Sequence, residues 1–320
     1  MEKSKERYRK YSTYLKEKYG EKVYKIPINL PVTCPNRDGI LGTGGCAFCG
    51  DVGAGFESLE NTISVKEQLN KNIQYISKKY KAKKYIAYFQ NFTNTYMPLD
   101  SFKNYIEEAA QMEDVVEICV STRPDCVNDK YLYVLNIIKN SYNKEITIEL
   151  GLQTVNYKTL KRINRGHTLA EFIDAMIRIN RYGFESCCHL ILNLPWDSME
   201  DIIEASKIVS SLGVGQVKLH SLYILRNTKL GEMYENNEFS IIPVESYVDR
   251  VVEFLKYLKP DIALQRLVGR APKEETLFCN WDMSWWKIQD MIDEKLKTMN
   301  IYQGLAYDYL NGKAVKRFVK

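Results

Sequence analysis

Six apolar, strand-like runs alternate with amphipathic helical segments along this 320-residue chain, and that alternation restricts its fold more than any other feature. The runs cover residues 24–32, 84–90, 115–120, 146–152, 186–194 and 216–225. They are almost continuously apolar, as strands buried on both faces are. Between them, Val65, Leu69, Ile73, Ile76 and Tyr80 recur at helical spacing, as do Phe102, Tyr105, Ile106 and Ala109. Residues 129–140 and 198–212 read as further helices. Ser64 with Glu67, and Thr168 with Glu171, have the spacing of a capping box, and Gly183 can end the second of these helices. Repeated strand–helix units imply a parallel sheet with crossover helices. Periodicity fits a doubly wound sheet and a barrel equally well.

A glycine-rich loop over residues 34–49 follows the first run and holds Cys34, Cys46 and Cys49. Cys46 and Cys49 are three apart, so one tight turn can aim both sulfurs at a single centre. Thiolates select zinc or iron–sulfur centres over magnesium or calcium. Structural zinc usually takes four Cys or His ligands, and the histidines, His167, His189 and His220, lie far along the chain. A zinc-stabilised module and three buried apolar cysteines are the plain alternatives. Three thiolates without a fourth leave one metal position open, as catalytic centres do.

These residues resemble the radical S-adenosylmethionine (SAM) enzymes. Cys46-Ala47-Phe48-Cys49 matches the second half of their cysteine loop, including the aromatic residue before the last cysteine. The first gap holds eleven residues instead of three, as in the Elongator catalytic subunit and the YtqA/YhcC-like group. The resemblance implies a partial (β/α)6 TIM-like barrel with a C-terminal α/β extension. Charge placement sets off a basic arm at 1–25, and the end of the strand–helix alternation divides a barrel at 26–226 from an extension at 227–320. The resemblance implies a [4Fe–4S] cluster held by Cys34, Cys46 and Cys49, with SAM on the open iron and, as reductant, a small-molecule electron donor or a flavodoxin- or ferredoxin-type protein. SAM contacts carried over by position are Phe48, Asn91, Thr93, Ser121, Gln153, Arg165, His189 and Tyr223. Residues 90–96 stand where relatives carry Gly-Gly-Glu, which this chain lacks. His189 stands where relatives often carry an acid. The best-matched stretch is 149–154 with Asn164-Arg165-Gly166-His167. A glutamine suits a ribose hydroxyl and a planar guanidinium suits a carboxylate.

For substrate, the resemblance implies tRNA, with the wobble 5-carboxymethylaminomethyl-uridine converted to 5-aminomethyl-uridine. Arg266 and Arg123 are candidates to meet its carboxylate. Residues 1–25 hold nine Lys or Arg and four Glu, interleaved with Tyr8, Tyr11, Tyr14 and Tyr19. Such an arm suits an RNA backbone and its bases, or is a solvated amphipathic helix. Trp281, Trp285 and Trp286 form either a substrate platform or the packing face of a C-terminal helix. Cys119, Cys126, Cys187, Cys188 and Cys279 read as structural, with Cys187 and Cys188 on opposite faces of a strand. No apolar run is long enough to span a membrane, and the N-terminus lacks a signal-like apolar stretch, so a cytoplasmic protein is expected. Rival functions are a radical SAM enzyme of a small-molecule carboxylate and a non-enzymatic iron–sulfur or RNA-binding protein.

Overall fold

The computed structural model describes residues 6–50, 58–271 and 275–318. Its elements run α1 (Tyr11–Tyr19), β1 (Val23–Ile28), α2 (Val65–Tyr80), β2 (Lys84–Phe89), α3 (Leu99–Ala110), β3 (Val115–Thr122), α4 (Asp129–Tyr142) and β4 (Glu145–Gln153). They continue with α5 (Tyr157–Arg162), α6 (Leu169–Arg181), β5 (Glu185–Ile191), α7 (Met199–Ser211), β6 (Gln216–His220) and β7 (Tyr223–Leu225). The last are α8 (Lys229–Glu235), α9 (Val244–Tyr257), β8 (Ala263–Arg266), β9 (Thr276–Cys279) and α10 (Trp285–Thr298).

The strands form one parallel sheet in the order β1-β2-β3-β4-β5-β6-β8, with helices packed on its outer face. It is a partial TIM-like barrel, as expected, but its sheet takes in a seventh strand, read from the sequence over 261–267 and expected to belong to the C-terminal extension. The seventh, β8, comes from the segment after residue 226 and pairs in parallel with β6. Among the described residues β1 and β8 do not pair, so the barrel stays open on that side. Lys10 makes a single parallel bridge with Leu264 there.

The run expected as one strand over 216–225 is two. Asn193 Oδ1 takes the Leu222 N–H at 2.6 Å, and Ser221 Oγ takes the Gly269 N–H at 2.9 Å. Those contacts end the ladder, and β7 turns away to pair antiparallel with β9. The expected helix ends hold. Ser64 Oγ accepts from Glu67 N–H, and Thr168 with Glu171 forms a complete capping box.

Over its described residues, the basic arm is neither a free RNA grip nor a solvated helix. Helix α1 plugs the open half-barrel at the N-terminal ends of its strands. Leu15 is buried with Val23, Ile86, Tyr88 and Cys119. Tyr14 Oη donates to Glu185 at 2.9 Å, and Tyr19 Oη and Lys18 Nζ both reach Glu117. Those tyrosines are committed to the fold, while residues 1–5 lie outside the described part. The three tryptophans split. Trp281 donates to the Ile242 carbonyl and packs on Tyr247 and Phe278. Trp285 and Trp286 stack with ring centroids 3.5 Å apart, and Trp286 is exposed.

Candidate active site

A cavity of about 1040 Å³ occupies the interior of the half-barrel. Its lining includes Cys34, Cys46 and Cys49 at one end and Trp285 and Trp286 at another. The C-terminal ends of parallel strands are where such barrels carry their chemistry.

Three loops are stitched together around the sulfurs. Ala47 N–H donates to the Ile163 carbonyl at 2.9 Å, and Asn164 Nδ2 to the Gly45 carbonyl at 2.8 Å. Asn36 Nδ2 returns a bond to the Asn164 carbonyl at 2.6 Å. Gly166 sits in the left-handed region at φ 74°, and a Cβ there would stand 2.8 Å from Asn36 Oδ1. That close approach demands glycine. Arg123 closes the third side. It forms a bidentate pair with Asp125, donates to the Arg165 carbonyl at 2.8 Å and points Nη1 at Cys34 Sγ, 3.9 Å away.

Arg165 lies on the cluster side of the cavity. Its Nη1 donates to Cys46 Sγ at 3.3 Å, while Nε and Nη2 hold the Gly151 carbonyl at 3.2 and 2.6 Å. Gln153 has a positive φ of 77° at the end of β4, where the ladder to β5 shifts register. A non-glycine residue there stores local strain, a recurrent property of functional sites. A Cβ on Gly151 would fall 2.8 Å from both Arg165 Nη2 and Gln153 Nε2, so the glycine makes room for both side chains. His167 is buried beside the two arginines, which with burial push its pKa down to about 2 and keep it neutral.

The remaining expected contacts divide. Phe48, Thr93, Ser121, Gln153, Arg165, His189 and Tyr223 all line the cavity with the cysteines. Asn91 is not among the described lining residues: its side chain is buried and donates to Asn29 Oδ1 at 2.8 Å. His189 faces the charged floor, with Nε2 2.8 Å from Glu149. Burial outweighs that carboxylate and brings the His189 pKa down to about 4, so the imidazole is neutral and donates.

Sequence reasoning missed the floor itself. The buried Glu149 carboxylate is surrounded by Lys25, by Lys218 at 3.6 Å, by Gln265 Nε2 at 2.8 Å, by His189 and by Ser121. The two ammoniums, Lys218 ahead of Lys25, keep it ionised against the opposing effect of burial, well below the usual carboxylate range. Lys218 itself is drawn down to about 8 by burial, with Glu149 opposing. The signal was present as polar residues at every second position of otherwise apolar strands: Glu149 and Gly151, Cys187 and His189, Lys218 and His220. Cys188 points to the outer core instead.

The donor sets bear on the metal. Among the described residues, only Glu149, Cys187 and His189 form a trio with ligand atoms within 4.8 Å of one another. Two ammoniums already occupy that carboxylate, which opposes a cation there. Cys34, Cys46 and Cys49 are therefore not drawn within that distance of each other. Zinc bound by sulfur at 2.3 Å holds its ligands no more than about 4.6 Å apart. As a set the three thiolates are spaced more widely than that and suit a cluster, where each thiolate meets a different iron. Arg165 and Asn36 donating to Cys46 Sγ suit the sulfur of a cluster ligand.

The radical SAM superfamily pattern matches residues 29–209, and the radical SAM C-terminal domain matches 214–298. The chain belongs to the radical SAM superfamily. Its members are enzymes that use a [4Fe–4S] cluster and SAM. This radical SAM chain is 32% identical to YtqA of Bacillus subtilis over 305 residues, 95% of this chain and 94% of YtqA. It is 32% identical to YhcC of Escherichia coli, covering 91% of this chain and 93% of YhcC. A stretch of 163 residues, 48% of this chain, is 24% identical to a tRNA uridine(34) acetyltransferase of Methanocaldococcus jannaschii, of which it covers 29%. The fold matches archaeal Methanocaldococcus infernus Elp3 with a TM-score of 0.66 at 15% identity, over 88% of this chain and 64% of that one. Among the described residues, no helix of the radical SAM chain is long and apolar enough to cross a membrane.

Proposed function

We propose that this radical SAM enzyme modifies tRNA at the wobble uridine: loss of a hydrogen atom and then an electron from the carboxymethyl carbon beside nitrogen in 5-carboxymethylaminomethyl-uridine gives an imine, whose hydrolysis releases the two carbons as an oxo acid and leaves 5-aminomethyl-uridine. The observation that carries the reading is a cavity that joins the cysteine loop to a strongly basic interior and an exposed aromatic rim. Among the described residues, nine basic side chains line it against four carboxylates. The similarity to a tRNA uridine(34) acetyltransferase points the same way.

Cys34, Cys46 and Cys49 hold the cluster. When bound, the cluster and SAM supply a 5′-deoxyadenosyl radical able to take a hydrogen atom from an unactivated carbon. Gln153, Thr93 and Ser121 offer polar atoms to SAM from three neighbouring strand ends, and Phe48 and Tyr223 offer it aromatic faces. Arg165 joins the Cys46 sulfur to the Gly151 carbonyl and so fixes the cluster loop against β4. At the rim, Arg270 lies 4.3 Å from the centroid of Trp285, with Trp286 stacked beyond, a cation–aromatic stack of the kind that holds nucleobases.

The decisive experiment uses protein reconstituted anaerobically with iron and sulfide, reduced, and given SAM with tRNA bearing 5-carboxymethylaminomethyl-uridine. The expected result is 5′-deoxyadenosine together with 5-aminomethyl-uridine in the digested tRNA. Cys46→Ala loses bound iron and both products. Product nucleoside absent from an iron-replete, SAM-cleaving protein would end the tRNA reading. Zinc in place of iron would end the cluster reading as well.

A further inference from the structure

Arg266 is a cation of the cavity floor that has no counter-ion among the described residues. It stands at the end of β8 and lines the cavity. Its Nη2 donates to His220 Nδ1 at 2.5 Å, and its Nε is buried with no hydrogen-bond partner. Among the described residues no carboxylate lies within ion-pair distance of it. Burial and the Arg266 charge hold His220 well below the usual imidazole range, so this partner is a neutral acceptor. The nearby Glu149 is already held by Lys25, Lys218, His189 and Gln265. Arg123, the other arginine expected to meet a substrate carboxylate, is neutralised bidentately by Asp125.

A half-buried guanidinium that lines a cavity with no carboxylate beside it favours a ligand that supplies the missing charge. Its planar fork suits a carboxylate, taken bidentately. His220 fixes the orientation of the fork, and His189 lies against the His220 ring at 5.3 Å. We infer that Arg266, oriented by His220, is the receptor for the substrate's carboxylate, and that it distinguishes a substrate bearing an N-carboxymethyl group from the aminomethyl product. This rests on the proposed tRNA reaction for the substrate's identity, but the carboxylate site stands on the unpaired guanidinium.

The test is equilibrium binding to the cluster-loaded protein. The probes are the nucleosides 5-carboxymethylaminomethyl-uridine, 5-aminomethyl-uridine and uridine 5′-monophosphate, the simpler pair N-benzylglycine and benzylamine, and SAM. Arg266→Gln should weaken the carboxylated nucleoside and N-benzylglycine by about tenfold or more, the worth of a charge-assisted hydrogen bond. Arg266→Lys should restore part of that loss, because it keeps the charge without the fork. Binding of the aminomethyl nucleoside, benzylamine and SAM should be unchanged in Arg266→Gln. Unchanged binding of both carboxylates overturns the inference, as does a wild type that prefers neither carboxylate. Loss of SAM binding alone would assign Arg266 to the cofactor and overturn it too. Stronger Arg266-dependent binding of uridine 5′-monophosphate than of the carboxylates would make it a phosphate site instead. If tRNA is not converted, yet the wild type prefers N-benzylglycine through Arg266, the substrate reading falls and the carboxylate site stands. If tRNA is converted and Arg266→Gln keeps its KM, the reverse holds.

Discussion

Gly151 decides whether Arg165 and Gln153 can occupy their positions. Any Cβ there displaces the guanidinium and the amide that face it. Gly151→Ala is expected to raise the dissociation constant for SAM by about tenfold while costing about 1 kcal/mol of stability. Calorimetric titration with SAM checks this, and unaltered affinity would remove both side chains from the SAM site. Asp197 offers a test independent of the cofactor. It is buried, and burial, opposed by the nearby Thr154 and Thr159 hydroxyls, raises its pKa from 3.8 to about 6. A raised carboxyl pKa means the folded state binds the proton more tightly than the unfolded one. Stability from this group is present below pH 3.8 and is lost as pH rises through about 6. Asp197→Asn should therefore stabilise the cluster-free protein at pH 7.5 by on the order of 2 kcal/mol, and that gain should vanish near pH 4. Urea denaturation at the two pH values measures it, and an equal effect at both would show that the carboxyl's charge is not the cause.

Helix α1 shows why a segment's composition does not fix its use. Its basic and tyrosine content suits RNA, but its hydroxyls meet Glu185 and Glu117 on the strands, and Leu15 fills the space beneath. Gly20, at φ 74°, ends it through a bond to the Lys16 carbonyl and lets β1 begin three residues later. Leu15→Ala should destabilise the protein by about 2–3 kcal/mol, the usual result of emptying a buried leucine site. A free arm would show no change in the urea midpoint. The β6–β7 break is a second case. The two halves run on without a glycine or proline between them and read as one strand, and the Asn193 side chain that divides them comes from the connection after β5.

In the whole molecule, an open seven-stranded sheet leaves one wall missing, and the protein fills that gap with its two ends. The arm bridges β8 through Lys10 and Leu264, and α10 brings Gln289 within 2.8 Å of Tyr8 Oη. The cavity consequently runs from the cysteine loop to a rim built from α10. Its volume and basic lining suit a substrate larger than SAM, and under the proposed tRNA reaction an extruded nucleotide would enter it while its neighbours stack on Trp285 and Trp286.

By itself, the sequence determined the parallel α/β class, the capped helices and the cysteine loop, because these follow from local periodicity, local hydrogen bonding and ligand spacing. It also marked Gln153 and Arg165, which sit in a motif read along the chain. The fold alone determined that Asn91 turns to Asn29, that Arg123 is spent on Asp125, and that β8 closes the sheet beside β6. It also assembled Lys25, Glu149, Lys218, His220 and Arg266 from β1, β4, β6 and β8 into one charged floor. Charge balance is a property of neighbours in space. Which arginine remains unpaired therefore emerges only when strands more than two hundred residues apart share one cavity.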